Sequence, residues 1–141
     1  MVTFTKNDSV EKELVLQSVP EEISRVEQFV DQLNEEFGFK EDVYANILVA
    51  VTEAVNNGIL HGNRENPDKK VVVRGKMLNP YRLSVTVIDE GKGFDHENLR
   101  DPTDPTNLLN EHGRGVFVME HLSDEIIFHG TGNTVEMRFN I

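Results

Sequence analysis

Glu53 and Asn57 stand four residues apart in a stretch with helical periodicity, so their side chains share one side of that helix. A carboxylate placed there can take a proton from a hydroxyl group or from water. A carboxamide oxygen is a hard neutral ligand that Mg²⁺ accepts beside phosphates and water. A solvated helix face also shows such pairs. A site is favoured because Asn56, Asn57 and Gly58 are poor residues for a helix interior.

A second group follows an apolar strand pattern, where Asp89 is succeeded by Gly91 and Gly93. Glycine allows the flat face of a ligand to approach the backbone closely. An aspartate buried at a strand end can accept a hydrogen bond from an exocyclic amine such as that of adenine. A strand-to-loop turn with structural glycines is the alternative interpretation.

A third group, Gly113–Arg114–Gly115, is predicted to open a helix. The N–H groups at a helix start and the helix dipole together favour an anion, and the Arg114 guanidinium matches a phosphate. A plain glycine-rich helix start is the alternative.

Composition limits the classes of function. The 141 residues predict one domain, residues 1–141. Lys and Arg number 14 against 25 Asp and Glu, giving a net charge of −11 that repels phosphate backbones, so no nucleic-acid partner is expected. The chain has no cysteine, which excludes disulfides and suits a reducing compartment. Neither a long apolar run nor a signal-like N-terminus is found, so we expect a cytoplasmic protein without a membrane segment.

The elements that must position these groups can be traced from periodicity and turn residues. Pro20 is predicted to begin a helix that Gly38 ends. The polar segment 96–112 is predicted to be a mobile connection. The other predicted elements are a strand at 13–18, a helix at about 41–60, an antiparallel pair at 70–77 and 81–89, a short helix at 116–122 and strands at 125–129 and 134–139. This order predicts an α+β two-layer sandwich, a mixed but mostly antiparallel sheet with helices packed on one face.

Other motifs are missing. The sequence contains no P-loop, residues 91–96 lack the third glycine of a dinucleotide fingerprint, and the five histidines show no metal-ligand spacing.

In this order along the chain, the three groups resemble the motifs of the GHKL (Bergerat-fold) ATPase superfamily. The resemblance is closest to the bacterial anti-sigma-factor serine/threonine kinases and covers about residues 12–139. Residues 53–63 (EAVNNGILHGN) are similar to the N box, 89–95 (DEGKGFD) to the first glycine box and 112–119 (HGRGVFVM) to the second.

The resemblance implies roles for individual residues. Asn57 is expected to coordinate Mg²⁺ that bridges the phosphates of ATP or ADP. Glu53 is expected to be the catalytic general base for a serine hydroxyl of a partner protein. Asp89 is expected to bind the adenine amino group. The remaining implied roles are Gly91 and Gly93 beside the base, an ATP lid at about 94–112, phosphate contacts at Gly113, Arg114 and Gly115, Thr134 near the adenine and Arg25 at a partner contact.

The resemblance also implies a function, an anti-sigma factor that phosphorylates an anti-sigma-factor antagonist, binds a sigma factor and forms a homodimer. A nucleotide-dependent protein-binding module without significant kinase activity is the alternative. The catalytic domain of a histidine kinase is disfavoured, because one clear helix before residue 41 leaves no room for a phosphoacceptor hairpin and no histidine precedes the N box.

Overall fold

Five strands and three helices are found in the residues that this computed structural model describes, namely 11–92, 111–130 and 133–141. The strands are β1 (Lys12–Gln17), β2 (Lys70–Asn79), β3 (Arg82–Ile88), β4 (Glu125–His129) and β5 (Thr134–Asn140). The helices are α1 (Ser24–Phe37), which follows a 3₁₀ turn at Pro20–Ile23, α2 (Glu41–Asn57), which continues into a π-helical turn at Gly58–Gly62, and α3 (Glu111–Leu122).

The strands form one sheet in the order β1-β2-β3-β5-β4. Every pairing in the described part of the chain is antiparallel. The sequence predicted a mixed but mostly antiparallel sheet, and no parallel pair is found among these strands. One face of β2, β3 and β5 is buried at alternate residues, such as Val73, Val85 and Met137. The α+β architecture with helices over one sheet face agrees with the prediction.

Helices α1 and α2 cover the sheet because each buries one apolar stripe. Gly38 ends α1 in a left-handed conformation, with φ 71°, as its position in the sequence predicts. A Cβ atom on Gly75 in β2 would lie 3.1 Å from the Leu33 methyl groups, so glycine lets α1 approach the sheet closely. The buried stripes are Val26, Phe29, Val30 and Leu33 in α1, and Ile47, Ala50, Val51, Ala54 and Val55 in α2.

Helix α3 begins at Glu111, and the prediction of a start at Val116 was wrong. Glycine in a helix costs only about 1 kcal/mol relative to alanine. Burial of Val116 and Met119 can offset that cost. Residues 111 and 112 of the predicted lid are helical, and the rest of the lid, with Gly93, lies outside the described residues.

One described helix, Glu41–Gly62, is long and apolar enough to cross a membrane, with a mean hydropathy of 1.2. Its apolar residues Ile47, Val51 and Val55 are fully buried in the core. The high mean hydropathy of this helix is therefore explained by the burial of its apolar residues in the core.

The sheet face away from the helices carries a charged cluster around Glu136. Its carboxylate accepts hydrogen bonds from Ser84 Oγ at 2.7 Å and Arg138 Nε at 2.8 Å, and it lies 3.1 Å from His129 Nε2. Burial alone would raise the pKa of Glu136, but these three hydrogen bonds outweigh it and lower the pKa to about 2.

This depressed pKa predicts an acid-sensitive contribution to stability. The Glu136 carboxylate stabilises the fold above pH 4.5, and that contribution is lost as the pH falls towards 2, because the unfolded chain binds the proton first. In Glu136→Gln, the free energy of unfolding should fall less steeply between pH 4.5 and 2, measured by urea denaturation. Glu13→Gln removes an exposed carboxylate that pairs with Arg74 and serves as the control. An unchanged slope in Glu136→Gln would contradict this account.

Candidate functional site

Asp89 lies directly after β3, where two backbone hydrogen bonds hold it. Its own N–H group donates to the carbonyl of Asn133 at 2.9 Å, and the Gly91 N–H group donates to Asp89 Oδ1 at 2.7 Å. Burial raises the pKa of the Asp89 carboxyl, and the Gly91 hydrogen bond and the charge of Lys69 oppose this only in part. Among the described residues, none donates a hydrogen bond to Oδ2. That oxygen can therefore accept one from an amino group of a ligand.

Two glycines enclose this carboxylate. A Cβ atom on Gly62 would lie 2.5 Å from Asp89 Cγ, and one on Gly91 would lie 2.4 Å from the carbonyl oxygen of Gly62. Both distances are far below van der Waals contact, so only glycine fits at either position. The sequence singled out Gly91, whereas Gly62 was only one residue of the segment that resembles the N box. Its contact with Asp89 arises because the π-helical turn packs against the end of β3, a tertiary contact that local sequence does not encode.

Thr134 lies beside Asp89, because it pairs with Ile88 across β3 and β5. Its hydroxyl donates to Asn133 Oδ1 at 3.4 Å, and Asn133 Nδ2 donates to the Gly91 carbonyl at 3.4 Å. The structure thus places Asp89, Gly91 and Thr134 near one another. It adds Asn133, which the sequence gave no reason to separate from the neighbouring turn.

A cavity of about 400 Å³ lies between α2 and α3, and Glu53 and Asn57 line it together with Arg114. The other lining residues are Asn56, His61, Gly115 and Val118. A Cβ atom on Gly115 would lie 2.9 Å from Asn57 Nδ2 and 3.3 Å from Glu53 Oε2. Gly115 therefore permits α3 to approach these two side chains, a role different from the helix start that the sequence predicted.

Asn57 has an unsatisfied polar atom at this cavity. Its Nδ2 is buried and has no hydrogen-bond partner. Leaving a buried donor unpaired costs about 1–3 kcal/mol, and such groups call for an explanation by function or a bound group. No described group of three or more His, Asp or Glu side chains could hold a metal ion. A cation at Asn57 would need most of its ligands from elsewhere.

A neighbouring cavity of about 330 Å³ shares His61 with the first and is lined by Gly62 and Gly91. His61 therefore borders both the cavity of Glu53 and Asn57 and the cavity beside Gly62 and Gly91. Its position on the π-helical turn is notable because such turns occur often at functional sites. The other lining residues are Asn63, Arg64, Asn66, Lys69 and Lys92.

The remaining predicted residues are placed as follows. Gly113 and Arg114 lie in the first turn of α3, where backbone N–H groups have no partner within the helix. Gly115 is the fifth residue of α3, so its N–H group faces the carbonyl of Glu111 in the helix pattern. Arg25 lines neither cavity, and its guanidinium donates to Glu22 at 2.7 Å and to the Val15 carbonyl at 3.2 Å.

Known proteins resemble this chain in sequence and in fold. Residues 16–139 match the family model described as histidine kinase-like ATPase domain. An anti-sigma F factor of Heyndrickxia coagulans is 38% identical over 104 residues, which cover 72% of this chain and 68% of that protein. The serine-protein kinase RsbW of Bacillus subtilis is 28% identical over 139 residues, covering 94% of this chain and 86% of the kinase.

Among solved structures, the RsbU and RsbW domains of Rv1364c from Mycobacterium tuberculosis match 94% of this chain with a TM-score of 0.67 and 19% identity. The match covers 32% of that longer chain, and at this identity it concerns the fold alone. The sequence and the fold thus lead to one assignment: the chain belongs to the histidine kinase-like ATPase family.

Proposed function

We propose that this chain is an anti-sigma factor with Mg-ATP-dependent serine/threonine kinase activity, whose substrate is an anti-sigma-factor antagonist. The observation that carries the proposal is the cavity where Glu53, Asn57 and Arg114 meet. Membership of an ATPase family implies ATP as the ligand. Relatives named serine-protein kinase and anti-sigma F factor support the kinase activity and the regulatory role.

Adenine recognition is assigned to Asp89. Its Oδ2 accepts a hydrogen bond from the exocyclic amino group, while Gly91 and Gly93 let the base approach the backbone. Guanine carries a carbonyl oxygen in place of this amino group and would face the carboxylate with a like partial charge. Thr134, beside Asp89 in the sheet, lies close to the base in this arrangement.

A magnesium ion fits the residues at Asn57. The side chain offers one carboxamide oxygen, and no group of three or more His, Asp or Glu side chains among the described residues could hold a metal ion. This suits Mg²⁺, which takes its other ligands from phosphates and water. When bound, Mg²⁺ would neutralise phosphate charge in a protein whose net charge of −11 repels ATP. Arg114 and the N–H groups of the first turn of α3, including that of Gly113, would contact the phosphates.

Glu53 is the general base in this proposal. The serine hydroxyl of the antagonist attacks the γ-phosphorus in line with the bond to the β-phosphate oxygen. An O–P bond forms, the bond to that bridging oxygen breaks, ADP leaves, and the hydroxyl proton passes to the Glu53 carboxylate. Because phosphoryl transfer depends mainly on positioning and charge, a few groups around one cavity can suffice.

Partner binding completes the proposal. The protein binds a sigma factor and an antagonist, forms a homodimer and acts in the cytoplasm as one domain, residues 1–141. Arg25, on the exposed side of α1, is a candidate partner contact. The acidic net charge is consistent with control of transcription through proteins without direct binding to DNA.

The kinase is tested by Glu53→Gln with γ-labelled ATP, Mg²⁺ and the anti-sigma-factor antagonists of the source organism. Loss of the base should lower the rate of transfer about 10²–10⁴-fold, with nucleotide affinity within a few-fold of wild type. Glu120→Gln changes an exposed carboxylate on α3 and is the control. Undiminished transfer by Glu53→Gln would remove Glu53 from the mechanism. Wild type that never transfers phosphate, but binds partners in a nucleotide-dependent way, would leave only the binding-module alternative.

The metal site is tested by Gly115→Ala. The added methyl group must displace the Asn57 carboxamide, so the gain in affinity that Mg²⁺ provides should shrink about tenfold. The fold should survive, because the displaced atoms end a side chain and alanine favours a helix. The measurement is a titration of a fluorescent ATP analogue with and without Mg²⁺, with Glu120→Ala as the matched change on α3. A full Mg²⁺ effect in Gly115→Ala would contradict the placement of the metal at Asn57.

The base site is tested by pH. Protonation of Asp89 removes the acceptor for the amino group, so affinity for the ATP analogue should fall as the pH falls through the raised pKa of Asp89. Asp89→Asn should bind the ATP analogue about 5–150-fold more weakly at neutral pH, because losing this hydrogen bond costs about 1–3 kcal/mol. Its affinity should not show the fall with pH that is assigned to Asp89. Titration of the adenine ring itself is common to both proteins. A step retained in the variant would assign it to another group.

A further inference from the structure

Asn63 is a buried polar residue at the end of the segment that resembles the N box, and neither the roles implied by the resemblance nor the proposed chemistry uses its side chain. It follows the π-helical turn directly, and its residue surface is 1% exposed. Its Nδ2 donates to Ser18 Oγ at 2.8 Å and to the Lys70 carbonyl at 2.9 Å, while its Oδ1 accepts from the Glu90 N–H group at 2.8 Å. One carboxamide therefore joins the ends of β1 and β3 and the start of β2 to the end of α2.

We infer that Asn63 is a positioning residue that holds the Asp89 carboxylate for adenine and thereby sets the preference for ATP over GTP. This inference rests on the proposed function, because it assumes that Asp89 binds the base. Asn63 acts through its neighbours and does not itself contact the nucleotide.

The first step of the argument concerns the backbone after β3. Asp89 is held at its own N–H group by Asn133, and the next N–H group, that of Glu90, is held by Asn63 Oδ1. The Gly91 N–H group then closes on Asp89 Oδ1. Three consecutive amides are thus fixed, and the carboxylate direction follows from them.

The second step concerns the opposite wall. Gly62 lies against the Asp89 carboxyl with no room for a Cβ atom, so its position decides where that carboxyl can go. Asn63 is covalently next to Gly62, and its N–H group donates to the Gly58 carbonyl at 2.8 Å. The same residue therefore ties the wall formed by Gly62 to the strand end that carries Asp89.

The third step concerns the strained turn that follows. Arg64 and Glu65 both have left-handed backbones, with φ 53° and 56°, although neither is glycine. Such conformations are unfavourable for residues that carry a side chain, and they persist where the surroundings impose them. Here the Glu65 N–H group donates to the Ile59 carbonyl at 2.7 Å, and the Asn66 N–H group donates to the Asn63 carbonyl at 3.0 Å. This turn carries the chain out again after Asn63 has entered the core.

The fourth step concerns the side-chain type. The Glu90 N–H group requires an acceptor, the Lys70 carbonyl requires a donor, and a carboxamide provides both. Ser18 Oγ already donates to the Lys69 carbonyl at 2.7 Å, so it can accept from Asn63. Since both functions are used, the network leaves no polar atom of this carboxamide without a partner.

The test measures nucleotide preference together with the state of Asp89. ATP and GTP displace the fluorescent ATP analogue from wild type, Asn63→Ala and Ser18→Ala, at a temperature where each variant is folded by circular dichroism. We expect ATP affinity to fall about tenfold in Asn63→Ala and about threefold in Ser18→Ala, with GTP affinity unchanged. A loss of folded protein alone would lower the apparent affinities for ATP and GTP in proportion. A change in the ratio of these two affinities therefore reports on the positioning of Asp89. Ser18→Ala keeps the test available if Asn63→Ala does not fold.

Asn79→Ala is the matched control, because this exposed asparagine at the end of β2 accepts a hydrogen bond from the Tyr81 N–H group and lines neither cavity. Its ratio of ATP to GTP affinity should equal that of wild type. An equal ratio in Asn63→Ala would overturn the inference.

A second readout needs no nucleotide. The Asp89 carboxyl is titrated by NMR in wild type and in each folded variant, and its pKa should return towards the ordinary aspartate value when Asn63 is truncated. An unmoved pKa would overturn the positioning role. If wild type does not distinguish ATP from GTP, both the assignment of Asp89 to adenine and this inference are wrong. If wild type binds ATP selectively but transfers no phosphate, only the proposed kinase activity is wrong.

Discussion

Helix α2 contacts the sheet on one side and α3 on the other, and the site depends on both contacts being close. The apolar residues of α2, such as Val51 and Val55, are fully buried against the sheet. Its polar stripe, with Glu53 and Asn57, lines the cavity beside α3. The π-helical turn that continues α2 then brings Gly62 against Asp89. One helix therefore fixes the distance between the groups assigned to the base and those assigned to the phosphates.

Glycines determine how near these elements come. Gly75 allows α1 to pack closely on the sheet, and Gly115 allows α3 to pack closely on α2. Gly62 and Gly91 both pack against Asp89. At the first two positions a side chain would meet the flexible ends of other side chains. At Gly91 a side chain would meet the backbone of Gly62, and at Gly62 it would meet the Asp89 carboxyl group itself.

Much of this was predictable from local sequence. Periodicity gave the two long helices and all five strands within a few residues, because each element buries one regular face. The spacing of Glu53 and Asn57 indicated that they share one side of α2, and the resemblance to the GHKL superfamily implied that Asp89 and Thr134 lie near one ligand. The start of α3 was wrong, because the glycines were interpreted as a helix start when one of them serves a contact between helices. Asn63, Ser18 and Gly62 were not recognised, since their roles arise from segments far apart in the sequence.

The turn after α2 is held by bonds between backbone groups, from Asn63 to Gly58, from Glu65 to Ile59 and from Asn66 to Asn63. The side chains of Arg64, Glu65 and Asn66 point outwards and are exposed. The length and path of this turn are therefore constrained, while the chemistry of its surface is not. Because Arg64 and Asn66 also line the cavity of about 330 Å³, a change of charge on this turn would alter the rim of that cavity while the backbone path behind it stays the same.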